Sequence, residues 1–387
     1  MIHIEEKTEC CGCRGCEYAC RYGALKMRPD GMGFLYPEID LEKCTGCNLC
    51  VRVCAFKGKS IEGEGKPLRA YALKHPDERE IERSQSGAAF PLLSDYILSL
   101  GGVVYGAAFG DGLYVIHKRG TDTETRDEFR GSKYVQSDMR NVYGMINDDL
   151  KKGRTVLFSG TPCQTAAIRR IFGKSGGDRL VLVDLVCHGV ASPAIWRDYI
   201  CYLERKHRAT IVDAKFRDKK FGWHSHRESY AFSDGRTVYP RFLVYARMFM
   251  RPSCGGCKYS SLTRSSDITI GDFWGVERVF PDFETNNRGC SLMLCNTEKG
   301  LRLFENVRQH VLCRKVSDLK DVLQPNLKEG TRLPDGHAAF ADYYGANGFR
   351  RTMTHFGYLG VRASVLHFLH RARRKMRSLG IINKQIQ

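Results

Sequence analysis

Residues 10–20 read CCGCRGCEYAC and residues 44–54 read CTGCNLCVRVC. Each run spaces four cysteines as C-x2-C-x2-C-x3-C: Cys10, Cys13, Cys16 and Cys20, then Cys44, Cys47, Cys50 and Cys54. Two intervening residues let one curled loop aim three thiolates at a single cubane, and the longer step starts a short helix that carries the fourth thiolate away. A disulfide scaffold or zinc knuckles would also use paired cysteines. Two copies of one four-cysteine pattern, eight ligands together, favour iron–sulfur clusters over both. Such a chain handles single electrons.

The repeated run resembles that of a bacterial two-cluster ferredoxin, in which the fourth Cys of each run ligates the other cluster. The resemblance assigns Cys10, Cys13, Cys16 and Cys54 to one 4Fe-4S cluster, and Cys44, Cys47, Cys50 and Cys20 to the other. Arg21 and Ala55 stand where these motifs usually carry Pro, which removes no ligand. Cys11 is spare.

The 387 residues leave room for two or three domains and a sizeable core. The N-terminus MIHIEEKTEC lacks the apolar segment of an export signal, and no run of 18 apolar residues exists. The chain has 17 cysteines, and those that ligate clusters must stay reduced, so the expected compartment is a reducing cytoplasm. A formal charge of +18 favours acidic partners: a ferredoxin, anionic lipid, a phosphorylated substrate or nucleic acid.

Outward from the cysteine runs, residues 1–62 form the ferredoxin-like domain, with a turn and short strand around Asp30-Gly31 linking its halves. Residues 61–82 are polar and marked by Gly and Pro, placing a boundary near 62–68. PLLSDYILSL (91–100) has helical spacing; VVYGAAF (103–109) and YVIH (114–117) read as strands around a Gly-Asp-Gly turn. A helix is expected over 138–151. TVLFSG (155–160) reads as a buried strand, after which Thr161, Pro162 and Gln164 form a capping box. LVLVDLVC (180–187) repeats the strand, and Ser192-Pro193 opens a helix through Cys201. Two strand-to-helix units in succession predict a mixed, largely parallel α/β sheet. Strands with many aromatics follow over 211–250, and a helix over 298–310. The expected division is 1–62, 68–165, 166–330, and a basic tail, 331–387.

FRGSKYVQS (129–137), VLFSGTPCQ (156–164), DLVCHGVASP (184–193) and CGGC…SDITIGDFWG (254–275) together resemble the coenzyme F-420 hydrogenase/dehydrogenase beta-subunit family, over roughly residues 68–330. With the cysteine runs the chain resembles its single-chain form with a fused ferredoxin domain. The resemblance implies an iron–sulfur flavoprotein oxidoreductase with FAD against the α/β domain. Its expected flavin contacts are Ser86, Gly87, Ser132, Lys133, Gln136, Ser137, Gly160 and Thr161. Relatives exchange electrons with coenzyme F-420 or ferredoxin, and bacterial single-chain members often belong to cell-surface polysaccharide pathways. The family's Ser-Ser-Gly-Gly turn reads Ser84-Gln85-Ser86-Gly87-Ala88 here, leaving the backbone approach to a flavin less open.

Four more cysteines stand apart. Cys163 falls at the second residue of a capped helix, where free N–H groups favour a thiolate. Cys187 ends the neighbouring strand, and Cys254 and Cys257 form a C-x2-C pair. The resemblance implies a third 4Fe-4S cluster on these four; the alternatives are a structural zinc, or a redox-active Cys163 with the others structural. Cys11, Cys201, Cys290, Cys295 and Cys313 read as packing residues. No G-x-G-x-x-G follows a strand, so no Rossmann site is expected. Lys215, Arg217, Lys219 and Lys220 would receive an anionic substrate or form a solvated basic face. His188 is a proton donor or a core histidine, and His224 and His226 are substrate-contact candidates. Asp267 and Asp272 are expected to fix the cluster loop.

These readings converge on an oxidoreductase that takes electrons from ferredoxin or another redox partner and delivers them to an organic substrate. The alternatives are oxidation of reduced coenzyme F-420, a non-catalytic electron relay, and an iron–sulfur nucleic-acid binder. The last needs aromatics interleaved on a basic groove, so no nucleic acid is expected. The basic residues Arg362, Arg371, Arg373, Arg374, Lys375, Arg377 and Lys384 make an acidic membrane surface or partner the expected contact of the tail.

Overall fold

The computed structural model of the chain describes residues 1–57, 65–240, 247–284 and 286–360. The boundary expected at 62–68 lies partly outside the described residues, and the basic stretch 362–387 wholly so. Residues Met1–Leu333 form one compact unit and Pro334–Gln387 a second, whose described residues, 334–360, hold the helix His337–His355. Among the described residues no helix is long and apolar enough to cross a membrane.

The first cysteine run leads into a hairpin, β1 (Leu25–Pro29) against β2 (Leu35–Ile39), with Leu25 opposite Ile39. The α/β part is built on strands β3 (Arg69–Lys74), β4 (Val103–Phe109), β5 (Val115–Gly120), β6 (Val156–Gly160) and β7 (Leu180–Leu185). A separate three-stranded sheet holds β8 (Ile211–Lys215), β9 (Ser229–Phe232) and β10 (Thr237–Val238), and the main sheet closes with β11 (Ile268–Asp272), β12 (Ser291–Cys295) and β13 (Leu312–Lys315).

The main sheet runs β13-β3-β12-β11-β7-β6-β4-β5. Its centre, β11-β7-β6-β4, is parallel, and antiparallel strands flank it on both sides. Alternation along these strands explains the layers. Val156, Phe158, Leu180 and Leu182 pack on one face, with Tyr143 and Ile146 from the helix Val142–Lys151 and Ile168 and Phe172 from the helix Pro162–Gly176. Leu157, Val181 and Val183 face the other way, onto Leu93 and Ile97 of the helix Ala89–Ser99 and Phe304 of the helix Glu298–Val307. Successive side chains alternate across the pleat, so a doubly covered strand reads as a continuous apolar run.

The strand β3 lies in a stretch whose polar flanks suggest a linker. Its Ala70, Tyr71, Ala72 and Leu73 are all buried between β12 and β13. Two alanines give little β signal by themselves, so the strand is stabilised by burial between its neighbours. The capping box at Thr161 forms as expected, with Gln164 reaching back to the Thr161 N–H at 3.0 Å. The helix Pro162–Gly176 therefore starts directly beyond the carboxyl end of β6, and the helix Pro193–His207 follows β7 after the loop 186–192, at the sheet edge where open α/β folds place their ligands.

Candidate functional site

The eight N-terminal cysteines separate into two groups of four. Cys20, Cys44, Cys47 and Cys50 line one cavity beneath Met1, Tyr22 and Ile39, with Cys47 exposed at the molecular surface. Cys16 lies in the electrostatic reach of Cys13, Cys10 and Cys54, and burial together with these neighbours pushes its thiol well up. The fourth cysteine of each run thus stands with the other run's first three. Backbone N–H groups point at the sulfurs: Gly12 at Cys10 (3.3 Å), Lys57 at Cys54 (3.3 Å) and Ile2 at Cys50 (3.2 Å). Such donors favour thiolate ligands.

A second cavity gathers the four cysteines that the sequence scatters. Cys163, Cys187, Cys254 and Cys257 line it together with Cys11, Gln136, His188, Arg251 and Tyr259. Each strand end contributes one thiol: Cys163 opens the helix after β6, and Cys187 follows β7 by two residues. Gly189 permits the turn between Cys187 and the cavity, with φ of +119° and Met250 Sδ 3.0 Å from where a Cβ would sit. Burial pushes Cys254 up to about 12 and Cys10 up to about 11. Four thiols buried this closely cannot ionise together without a cationic centre, which is the condition that iron supplies. Among the described residues no three side chains close on a single metal-ion position; a four-iron cubane asks for thiolates further apart than one ion does.

The spare Cys11 lies between the groups. It is buried beside Cys13 and Cys163, and its thiol holds both of theirs below the ordinary range. The two ligand loops are also clamped onto the α/β part through their carbonyls. Cys10 accepts from Arg251 (2.7 Å), Cys11 from Gln136 (2.8 Å), Cys13 from Tyr143 (2.7 Å) and Phe56 from Lys258 (2.9 Å). Arg14 adds an ion pair to Asp138 at 2.5 Å.

Beyond the carboxyl ends of β4, β6, β7 and β11 opens a solvent-connected cleft with about 1550 Å³ of space free of protein atoms. Ser86, Ser132, Lys133, Ser137, Gly160 and Thr161 line it. Gly87 and Gln136 do not. Gly87 packs under the sheet edge, its N–H on Ser291 Oγ (2.9 Å) and its Cα so close to Leu73 that a Cβ would sit 2.3 Å from the carbonyl oxygen. Gln136 turns toward Cys11 and Arg251. Thr161, Gln164, Cys187, His188, Gly189 and Val190 line both the cleft and the four-cysteine cavity, so one layer of residues separates the two.

Residues 153–318 match the family described as the C terminus of the coenzyme F-420 hydrogenase/dehydrogenase beta subunit, and residues 9–57 match the 4Fe-4S dicluster domain. Residues 153–318 thus carry the C-terminal domain of the F-420 hydrogenase/dehydrogenase beta-subunit family, and the chain carries a dicluster domain before it. The chain is an iron–sulfur electron-transfer oxidoreductase with a fused dicluster domain. A chain of the xenon-derivatised F-420-reducing nickel–iron hydrogenase complex from Methanosarcina barkeri superposes with a TM-score of 0.47 at 15% identity, over 78% of this chain and 97% of that one. No curated protein matches.

The cleft has features that fit a dinucleotide. The helix Ala89–Ser99 begins at the cleft without a side-chain cap, leaving its first N–H groups available to a phosphate. Burial pulls the Lys133 ammonium, which donates to the carbonyls of Glu128 and Arg130, down to about 7; an anion beside it would keep it charged. Tyr134 and His188 stack with ring centres 4.9 Å apart, giving a flat aromatic wall.

The four basic candidates do not converge. Arg217 lines the cleft but is held by Asp272 (2.6 Å) and the Trp223 carbonyl (2.7 Å). Lys219 donates to the carbonyls of Ile81 and Ser86, Lys220 to Tyr239, and Lys215 is exposed beside Asp213. His224 and His226 pack around Trp274, a cleft residue. Asp272 anchors Arg217 and Trp223, whereas Asp267 pins the opposite end of β11 through Arg169 and the Leu182 N–H. Sequence reasoning does not single out Arg251, Tyr143 or Tyr259, because nothing in their spacing shows that they face the cysteine loops.

Proposed function

We propose that this chain conducts electrons between an external one-electron carrier and an organic substrate bound beside FAD in the cleft, by way of three 4Fe-4S clusters. The observation that carries this reading is the shared wall: Thr161, Gln164, Cys187, His188, Gly189 and Val190 border both the four-cysteine cavity and the cleft. FAD, when bound, supplies the exchange between single electrons and hydride equivalents.

The protein's own residues set distance, access and charge. Cys47 brings one ligand set to the surface, where a ferredoxin or similar carrier can approach. Cys10, Cys13, Cys16 and Cys54 form the middle set, and Cys163, Cys187, Cys254 and Cys257 the inner one. Ser86, Ser132, Lys133, Ser137, Gly160 and Thr161, with the start of the helix Ala89–Ser99, would hold the flavin's phosphates and ring edge. A glycan precursor, expected from the single-chain relatives, is the substrate class to assay first.

A second reading reverses the flow: reduced F-420 gives a hydride in the cleft and electrons leave by the Cys47 edge. The match of residues 153–318 to an F-420 family favours it. Anaerobic mixing with reduced ferredoxin and, separately, with reduced F-420 distinguishes the two. Flavin bleaching by ferredoxin supports the first reading, bleaching by F-420 alone supports the second, and bleaching by neither removes both.

A further inference from the structure

Arg251 is 1% exposed and immediately precedes the Pro252-Ser253-Cys254 turn. Its three guanidinium nitrogens are all used. Nε donates to the Cys10 carbonyl (2.7 Å), Nη1 to Gln136 Oε1 (2.9 Å) and Nη2 to the Leu35 carbonyl (2.9 Å). The same group lies over the rings of Tyr36 (4.5 Å) and Phe34 (5.3 Å). These partners are two carbonyls, an amide and two aromatic faces; none is a carboxylate. Arg251 also lines the four-cysteine cavity. The loop around it leaves no slack, because a Cβ on Gly12 would meet Gln136 Nε2 at 2.6 Å and Arg251 Nη1 at 2.8 Å.

A buried guanidinium stays protonated, and a buried charge needs an opposite charge. Arg264, the other fully buried arginine near these thiols, has Asp184 at 3.7 Å. For Arg251 the available negative charge is that of the ligand sets on its two sides. Four thiolates on a 4Fe-4S core carry about −2 when oxidised and about −3 after accepting an electron. A fixed cation between two such groups stabilises the reduced form of each.

We propose that Arg251 is a positioning residue of the electron path: it sits between the Cys10–Cys13–Cys16–Cys54 set and the Cys163–Cys187–Cys254–Cys257 set, raises the reduction potential of both, and fixes their separation. This rests on the three-cluster reading above. Lys258, which donates to the Phe56 carbonyl between Cys54 and Cys257, is the competing cation, but it is partly exposed and its field is screened by water.

The test is a potentiometric titration followed by electron paramagnetic resonance, on the anaerobically purified full chain and on Arg251→Gln and Arg251→Lys, with iron counted in each. In Arg251→Gln, two of the cluster signals shift to more negative potential while the exposed Cys20–Cys44–Cys47–Cys50 signal stays in place. Arg251→Lys, which keeps the charge and loses the fork, recovers most of that shift. Unmoved potentials in an iron-replete Arg251→Gln overturn the proposal, as does an equal shift of all three signals. If Arg251→Gln does not retain iron, Arg251→Lys decides: near-native potentials support the proposal, and a large negative shift overturns it. An unaltered chain with about eight irons removes the inner cluster and the reading beneath it, yet the Cys10 set must still shift if Arg251 acts as proposed.

Discussion

The Tyr259 hydroxyl donates a hydrogen bond to the carbonyl of Ala55, joining the residue after Cys54 to a residue two beyond Cys257. Both partners are buried, Tyr259 at 1% and Ala55 at 0% exposure. The bond belongs to a row in which Cys10, Cys11, Cys13, Ala55 and Phe56 all offer carbonyl oxygens to side chains of the α/β part. The dicluster domain is therefore fastened by its ligand loops.

Tyr259→Phe removes the donor and leaves a buried acceptor. Global stability of the iron-loaded chain in urea should fall by about 1–3 kcal/mol. An unchanged midpoint would mean that the carbonyl finds water and that the clamp contributes nothing.

Ala88 occupies the left-handed region, with φ of +69°, at the entry to the helix Ala89–Ser99. The turn of the family that the sequence resembles usually has glycine there. Removing the Cβ relieves about 1–2 kcal/mol of backbone strain, against about 0.5–1 kcal/mol for ordering a glycine. Ala88→Gly should thus stabilise the protein by about 0.5–1 kcal/mol in chemical denaturation and tighten flavin binding. Destabilisation would show that the Cβ packs favourably.

Burial holds His117 at about 4, below its ordinary 6.5, with Nε2 3.0 Å from the Ser159 carbonyl. Between those values the unfolded chain binds a proton that the folded chain does not. The stabilisation is complete above pH 6.5 and is lost as pH falls toward 4. Its loss between pH 7 and pH 5 should be about 2 kcal/mol. Urea titrations at both pH values should show that part of the acid sensitivity disappearing in His117→Phe; equal acid sensitivity in both proteins would contradict the assignment.

Cys254→Ser with Cys257→Ser should lower iron by about one third, from about twelve per chain to about eight, while the ferredoxin-type signals persist. Zinc with about eight irons in the unaltered protein would instead assign the second cysteine group to a structural metal.

How much of this is legible in the sequence follows from the physics of each feature. Cluster ligation imposes fixed short spacings, so Cys10–Cys54 can be read directly. Continuous apolar runs and the Thr161 capping box disclose β6, β7 and the helices after them. The strand β3 escapes notice because its alanines carry little intrinsic preference and its stability comes from β12 and β13 on either side. Gln136 falls among the expected flavin contacts by its place in FRGSKYVQS, whereas the fold turns it to Cys11 and Arg251. Arg251 precedes a proline in a loop and looks like a surface cation. Only tertiary packing shows that it lies between two ligand sets.

The most direct test of the account is rapid mixing of a reduced one-electron donor with the anaerobic protein, following cluster and flavin absorbance separately, in the unaltered chain and in the Cys254→Ser, Cys257→Ser variant reconstituted with FAD. The account predicts that the ferredoxin-type clusters reduce at the same rate in both, and that flavin bleaching follows them promptly only when the inner cysteines are intact. Equal bleaching rates in the two proteins would contradict it, because electrons would then reach the cleft without the inner four-cysteine set.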